Sequence, residues 1–459
     1  MKLYPFQKEG VQRIGGFDGR ALVSDEMGLG KTAQAIRWVR KHAPKNRPVV
    51  VICPASIKWN WQNEVRLWAP KIKTRILSTR TPLRIPPSFK KRHTKQIFII
   101  NYDVLSYWVP WLQKLKPAVV ICDECHAIKS RTTKRTKAVR KLVRRVPHVL
   151  MMSGTPLTNR PSELWPALNI IDPDRFPSFF KFCERFARPK KTIWGWKFDG
   201  AKNLDILHRI LTKRCMIRRR KKDVLKDLPS KTRSIVPVEL SPKDMKTYQK
   251  AEADYINWLL RVAPHKAKSA RKAISLSKMM GLKRLAAELK LPWAMQWIED
   301  FLEETKGKLI VFGIHRRVLL PLYEKYRKIS VLVNGDVIGR KKQEAIDLFK
   351  LSKKRRLFFG NIQAAGVGWN GTVASTVLFV EIGWTPGEMV QAEDRIHRIG
   401  TTKGAIIVYM VAKGTIEHKL CKIVQAKAEV LDQTLDGEIQ SDSINIHKQL
   451  ERLLTKKGA

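Results

Sequence analysis

Ala21, Leu22 and Val23 lead through Asp25-Glu26-Met27-Gly28-Leu29-Gly30-Lys31-Thr32 into Ala33-Gln34-Ala35-Ile36. An apolar run, a glycine-bearing turn, Lys-Thr and a helical run can be connected in few ways. The chain leaves a strand, turns tightly and starts a helix at once, as in a sheet covered by helices. Glycines let backbone N–H groups converge there, and the helix N-terminus adds partial positive charge, so the turn suits a row of phosphates. Lys31 then reaches the β- and γ-phosphates, and the Thr32 hydroxyl ligates Mg²⁺. The general pattern has glycine where Asp25 stands. An ordinary turn with a surface lysine is the alternative.

Four more apolar runs follow: Val49-Val50-Val51-Ile52, Ile97-Phe98-Ile99-Ile100, Ala118-Val119-Val120-Ile121 and Val149-Leu150-Met151-Met152. They are rich in β-formers, lack charge and are separated by helical or irregular sequence. Strands buried on both faces read this way, so the fold class is α/β with a parallel sheet. In such sheets functional residues sit just beyond the strand C-termini. The polar clusters Cys53-Pro54-Ala55-Ser56, Asn101-Tyr102-Asp103, Asp123-Glu124-Cys125-His126 and Ser153-Gly154-Thr155-Pro156 obey that rule. Within Asp123-Glu124, one carboxylate can hold Mg²⁺ while its neighbour orients and deprotonates a water. Upstream, Pro5-Phe6-Gln7 opens an amphipathic segment, and the Gln7 amide offers the donor and acceptor that adenine needs.

A second set of runs, Leu309-Ile310-Val311-Phe312, Val331-Leu332-Val333, Leu357-Phe358-Phe359, Val377-Leu378-Phe379-Val380 and Ile406-Ile407-Val408-Tyr409, predicts another sheet without Gly-Lys-Thr. Gly366-Val367-Gly368-Trp369-Asn370 follows one of these strands. Gln391, Arg395 and Arg398 are expected on a helix before the last one. Arg395 and Arg398 are three apart and project from one face. Such a pair can offset charge on a transferring γ-phosphate; a surface ion-pair network with Glu393 and Asp394 is the alternative. Pro229, Pro237 and Pro242 mark residues 229–242 as a connector between lobes at 1–228 and 243–435. Helical insertions are expected at 163–228 and 243–291, and a helical tail at 436–459.

Charge narrows the partners. Ninety Lys and Arg face 40 Asp and Glu, for a net charge of +50. A compact body so charged repels itself, which favours a polyanionic partner, nucleic acid above all. Nine of the seventeen residues 129–145 are basic and none is acidic. Lys129, Arg131, Arg140, Lys141, Arg144 and Arg145 there, with Arg218 and Arg219 from a second basic run, are candidates for phosphate contacts. A solvated face is the alternative. Trp194 and Trp196, beside Lys190, Lys191 and Lys197, suit either base stacking or core filling. Of six cysteines only Cys122 and Cys125 have metal-ligand spacing, and no second pair completes a site, so reduced thiols are expected. No run approaches the ~18 apolar residues of a membrane span, and the first residues lack a signal-peptide core. An intracellular protein without a membrane partner is expected.

Taken in order, these motifs resemble those of superfamily-two helicase-like ATPases, and within them the Swi/Snf-type DNA translocases. Pro5-Phe6-Gln7 is similar to the Q motif, Asp25 to Thr32 to motif I, and Cys53-Pro54 with Asn60, Trp61 and Glu64 to motif Ia. Asp123-Glu124-Cys125-His126 resembles a DEAH-type motif II, and Ser153-Gly154-Thr155-Pro156-Leu157 with Asn159 resembles motif III. Arg218, Arg219, Asp223, Val224, Leu228, Pro229 and Lys231 match a Swi/Snf block. Gly366, Gly368 and Asn370 are similar to motif V, and Gln391, Arg395 and Arg398 to motif VI. The phosphate loop of this superfamily tolerates a residue other than glycine at the Asp25 position. Gly195-Trp196-Lys197-Phe198-Asp199-Gly200 with Asn203-Leu204, and Val411-Ala412-Lys413-Gly414-Thr415, resemble the HARP-like annealing-helicase branch.

The resemblance implies two RecA-like lobes, with ATP and Mg²⁺ as cofactors. Gln7, Asp25, Gly28, Leu29, Gly30, Lys31, Thr32, Ala33, Gly368 and Gln391 would bind the nucleotide, and Thr32 and Asp123 the metal. Catalysis would fall to Lys31, Asp123, Glu124, Arg395 and Arg398, and coupling to His126, Ser153, Thr155 and Asn370. Ala365 and Thr401 depart from the pattern at positions expected not to touch the phosphate-handling residues. The implied activity is ATP-driven translocation on double-stranded DNA, including forked or branched DNA. A strand-separating DNA or RNA helicase and a nucleotide-gated scaffold are the alternatives. Without accessory repeats, a monomeric bare motor of phages or prokaryotes is expected, in the cytoplasm or nucleoid (the nucleus if eukaryotic).

Overall fold

The computed structural model describes residues 2–82, 95–193, 195–262, 268–337, 339–366 and 369–439, with side chains except at 255–262, 268–276, 278 and 340. The chain divides into two compact units. One is Met1–Leu228 joined by the chain from Lys427, and the other is Pro229–Ala426.

The first unit is built on β1 (Arg20–Val23), β2 (Val49–Cys53), β3 (Lys73–Leu77), β4 (Gln96–Asn101), β5 (Val119–Asp123) and β6 (His148–Met152). All are parallel, in the order β3-β4-β2-β5-β6-β1, and every residue of β2, β4 and β5 is buried. Each apolar run of the sequence is thus a central strand, and β1 and β5 flank β6 in parallel, so all three end at the same edge of the sheet. A hairpin is formed by β7 (Lys190–Thr192) and β8 (Gly195–Lys197). The short β9 (Met216–Ile217), not foreseen in the sequence, pairs with β1 at the sheet edge. Phe176, Phe182 and Phe186 fill the core beneath the helices that follow β6.

The second unit carries β10 (Lys231–Val238), β11 (Leu309–Gly313), β12 (Ser330–Val333), β13 (Leu357–Asn361), β14 (Thr376–Phe379) and β15 (Ala405–Ala412). It is parallel throughout, in the order β10-β15-β14-β11-β13-β12. The expected connector at 229–242 is corrected here: β10 pairs with β15 along its whole length. Proline misled the reading. Pro237 is tolerated because β10 is an edge strand, where a missing N–H breaks no central ladder. The expected insertion before Leu291 is two helices, Pro242–Val262 and Lys268–Leu289. The C-terminal helix Ile416–Asp436 starts with the second unit and ends with the first; the tail beyond residue 439 lies outside the described residues.

Two buried lysines of the second unit contrast. Lys290 is fully satisfied: its Nζ donates to Glu417 at 2.7 and 2.9 Å and to the carbonyls of Val380 and Met410, both at 2.7 Å. Lys283 is equally buried, stands over the Trp384 ring at 5.0 Å, and its Nζ makes no hydrogen bond among the described residues. Burial pushes its ammonium down to about 8, against the pull of Glu381 and Glu417, with Lys290 adding to the fall and Glu388 opposing it. A lysine depressed in the fold penalises stability in full below that folded value, and the penalty fades as pH rises toward 10.5. Lys283→Met is therefore expected to stabilise the chain by roughly 2–3 kcal/mol at neutral pH. It should also remove part of the parental gain in urea midpoint between pH 7 and 10. Unchanged midpoints at both pH values would refute the penalty.

Candidate nucleotide site and basic surface

The helix Lys31–His42 opens on Gly30, whose φ of 76° is left-handed and strained for any other residue. A Cβ there would also meet Gln7 Nε2 at 2.4 Å. Gln7 lies on the helix Pro5–Gly16, its Nε2 donating to the Leu29 carbonyl at 3.1 Å while its Oε1 accepts from Tyr4 N at 3.0 Å. The amide nitrogen of the expected adenine reader thus braces the loop, while its oxygen holds the start of its own helix.

Lys31 Nζ donates to the carbonyls of Asp25 at 2.7 Å and Glu26 at 3.3 Å. Burial lowers its basicity, while Glu124, Asp25 and Asp123 hold it up. An ammonium resting on neutral carbonyls has much to gain from an anion. Gly154 closes over it: a Cβ there would lie 2.4 Å from Met27 Cγ and 3.2 Å from Lys31 Nζ. Thr32 and Ala33 are the next residues of the helix, Thr32 half-buried and Ala33 buried.

Asp25 is corrected in part. Its buried carboxylate turns inward, to Arg219 at 2.6 and 3.0 Å and to Gln34 Nε2 at 2.9 Å, so only its carbonyl faces Lys31. This pairing explains why no glycine is needed there. The side chain bolts the loop to the chain after β9.

Asp123 ends β5, and Glu124 follows at φ 50°, an unusual conformation for a side-chain-bearing residue. Asp123 Oδ2 accepts from Trp61 Nε1 at 2.7 Å, and Tyr102 OH donates to its carbonyl at 2.9 Å. Burial, then the nearby Glu124 charge, raises its carboxyl to about 7, with Trp61 and Lys31 pulling it down. A divalent cation is the natural compensation for such a carboxylate, and the oxygens of Asp123 and Thr32 are hard donors suited to Mg²⁺. Glu124 Oε2 accepts from Ser153 Oγ at 3.1 Å and lies 3.4 Å from His126 Nδ1, itself 3.3 Å from Ser153 Oγ. Ser153 Oγ also accepts from Thr155 N at 3.1 Å. His126 and Ser153 thus converge on one carboxylate, with Thr155 N holding the Ser153 hydroxyl. Trp61 and Tyr102 were missed as site residues, because nothing local in the sequence links them to Asp123. Cys122 and Cys125 are buried free thiols.

In the second unit the helix Pro386–Glu393 stops short of both arginines, so the expected helical face is corrected to the turns after it. They still point one way: Arg395 Nη1 donates to the Trp369 carbonyl at 2.8 Å and Arg398 Nη1 at 3.4 Å. Arg395 Nε also donates to the Gln391 carbonyl at 3.1 Å. Of the two acids in the ion-pair alternative, Glu393 is held by Lys231, Arg233 and Tyr409. Thr401 is a second correction. Its Oγ1 accepts from Arg398 N at 3.1 Å and donates to the Ile396 and Arg398 carbonyls, so it shapes the arginine turn directly. Asn370 is exposed and accepts from Thr372 N at 3.1 Å. Gly368 lies outside the described residues.

The basic candidates separate. The helix Lys134–Val143, capped by Thr133, buries Val139, Leu142 and Val143 and leaves Lys141, Arg144 and Arg145 exposed beside it. Lys129 donates to Thr158 Oγ1 at 3.0 Å, and Arg131 is exposed over the Phe179 ring at 4.7 Å. Arg140 is taken up by Asn169 and the Trp165 ring. Arg218 and Arg219 are corrected outright, being buried against Asp436 and Asp25 and facing no external phosphate. Trp196 is 48% exposed, so it is no core residue; Trp194 lies outside the described residues.

Residues 6–291 match the SNF2-related domain, more than half of the chain, and residues 293–400 match the helicase conserved C-terminal domain. The chain belongs to the SNF2-related family. Similar proteins include the SWI/SNF-related matrix-associated actin-dependent regulator of chromatin subfamily A-like protein 1 of Xenopus tropicalis, 33% identical, covering 94% of this chain and 45% of that protein. Its homologue in Caenorhabditis elegans is 34% identical, covering 94% and 62%. The DNA annealing helicase and endonuclease ZRANB3 of Mus musculus is 31% identical, covering 95% and 41%. The chain thus spans less than two thirds of each of these relatives. A solved Sulfolobus solfataricus SWI2/SNF2 ATPase core in complex with dsDNA aligns at 24% identity over 95% of this chain and 94% of that one, with a TM-score of 0.44. The SNF2-related match ends at 291, whereas the compact units divide after Leu228, because β10 and the two helices after it fold with the second sheet. Among the described residues no helix is long and apolar enough to cross a membrane.

Proposed function

We propose that this SNF2-related chain is a DNA-stimulated ATPase that moves along double-stranded DNA and works on forked or branched DNA. The observation that carries the reading is the convergence on Glu124 of Ser153 and His126, beside an Asp123 held by Trp61 and a half-buried Lys31. A merely structural acid pair would not stand next to a lysine that, among the described residues, donates only to carbonyls.

Lys31 takes up negative charge on the phosphates of ATP. Asp123 and Thr32 hold Mg²⁺, which when bound offsets charge on the transferring group. Glu124, fixed by Ser153 and His126, accepts the proton of the attacking water. Arg395 and Arg398 add positive charge at the γ-phosphate, with Thr401 setting the turn that presents Arg398. His126, Ser153 and Thr155 pass the state of that carboxylate to the backbone after β6. The relative named as a DNA annealing helicase supports a DNA substrate, and the charge of +50 supports any polyanion. A monomer inside the cell is part of the proposal. Since the relatives named above are animal proteins, its phage or prokaryotic setting rests on the sequence alone.

Measuring ATP hydrolysis with duplex DNA, single-stranded DNA and RNA in parallel tests the reading. Stimulation by duplex DNA is expected. Stimulation by RNA alone would transfer the chain to the RNA helicases, and none by any of them would favour a scaffold.

The exposed cations give a further expectation. Neutralising Lys141, Arg144 and Arg145 together should flatten the slope of log affinity against log salt by up to ~2.7 units, at ~0.9 per phosphate contact on duplex DNA. ATP binding without DNA should not change. A parental slope in the triple variant would make this a solvated face.

A further inference from the structure

The paired residues of β7 and β8 stand largely in water. Five of the six are exposed, and a two-stranded ribbon of this kind is marginal by itself. Its register makes matters worse. Lys190 stands directly opposite Lys197, and like charges across a strand pair are destabilising. Lys191 stands opposite Trp196, so those two share the other face. The paired residues include no acid, and none of the three lysines is held by a carboxylate among the described residues. A polyanion lying along the hairpin would turn this repulsion into attraction.

The tryptophan is fixed on one side and open on the other. Trp196 meets Phe180 edge-to-face at 5.1 Å, and Phe180 meets Phe198 at 6.1 Å. Phe198 in turn packs on Phe179 at 5.0 Å, and its carbonyl accepts from Ser162 Oγ at 3.0 Å. Half of the Trp196 surface remains in water, on the face it shares with Lys191. A rigid, exposed indole with a cation on the same face is equipped to stack a nucleobase and hold the adjoining phosphate. Inside a closed duplex, away from its ends, every base face is covered by its neighbours. Only an unpaired base can use the platform there.

We propose that Trp196 and Lys191 form a stacking site for an unpaired base, with Lys190 and Lys197 gripping phosphates of the same strand. The occupant is nucleic acid where a duplex opens into a single strand. The site would let a duplex-tracking motor recognise a fork. This deepens the proposed function and rests on it for the choice of DNA.

The test uses the full chain and two labelled DNAs, a blunt duplex and the same duplex with an unpaired tail. Trp196→Ala should weaken binding of the tailed DNA about tenfold to a hundredfold, the range of one lost base stack. Blunt-duplex affinity and duplex-stimulated hydrolysis should stay parental. Trp196→Phe should recover most of the loss, which guards against a mere collapse of the hairpin. Neutralising Lys190 and Lys197 should lower the salt slope on the tailed DNA by about 1.4 units, at ~0.7 per single-strand phosphate. A fluorescent base analogue in the tail should be quenched by the parental chain and not by Trp196→Ala. Equal losses on both DNAs, or no loss on the tailed one, would overturn the site. A parental chain whose hydrolysis ignores duplex DNA would overturn the motor reading instead, because the stacking site is scored by binding alone.

Discussion

Glu124→Gln is expected to bind ATP as tightly as the parental chain and to hydrolyse it about 10²–10⁴ times more slowly, the usual worth of a positioned general base. The amide oxygen can still accept from Ser153 Oγ, and the shape of the site is kept. What disappears is the group able to take a proton from water. Lys31→Ala should fail in the opposite way. Its ammonium sits beneath the loop against Gly154, so removing it takes away charge needed to hold the phosphates at all. Equilibrium titration with a fluorescent ATP analogue, alongside phosphate release with duplex DNA present, separates the two. The pair of results locates binding on Lys31 and chemistry on Glu124. A Glu124→Gln chain that releases phosphate at the parental rate would remove Glu124 from the reaction, and the proposed function with it.

The two variants rest on the part of the molecule that local sequence specifies best. Ala21 to Ile36 contains strand, turn and helix within a few residues, so each piece constrains the next. The same holds for Asp123-Glu124 at the end of β5 and for every central strand, where an unbroken apolar run admits little but burial on both faces. What could not be read is pairing across the chain. Trp61 and Tyr102 hold Asp123 from 62 and 21 residues away. Arg218 and Arg219 looked like a DNA surface because composition counts charges without their partners. Asp25 meets Arg219 across 194 residues, and Asp436 meets Arg218 across 218. β10 shows the same limit for backbone, since a proline-marked stretch becomes a strand once β15 lies beside it. At the motif VI turn, Thr401 could not be valued before its three hydrogen bonds were seen.

Asp436→Ala is expected to destabilise the first unit by about 3–5 kcal/mol, the cost of leaving a buried charge without its partner. The pair is nearly sealed, with Arg218 9% and Asp436 5% exposed. Arg218 Nε and Nη2 donate to the two carboxylate oxygens at 2.8 and 2.9 Å. Its Nη1 donates to the carbonyls of Ser24 at 3.0 Å and Gly154 at 3.3 Å. One guanidinium therefore joins the end of the C-terminal helix to the residue after β1 and to the glycine that covers Lys31. A buried ion pair is poor evidence of net stability, so the pair as a whole need not be worth what its rupture costs. Arg218→Met with Asp436→Leu removes both charges and keeps apolar volume, and should recover most of the stability lost by Asp436→Ala alone. Urea midpoints for Arg218→Met, Asp436→Leu and the double variant give the coupling directly. An Asp436→Ala midpoint within error of the parental one would mean that the guanidinium finds water or another acceptor. ATP affinity adds a second readout. The double variant gives up the bonds to Ser24 and Gly154, so it should fold well and still bind ATP more weakly, because two walls of the phosphate loop are no longer tied together.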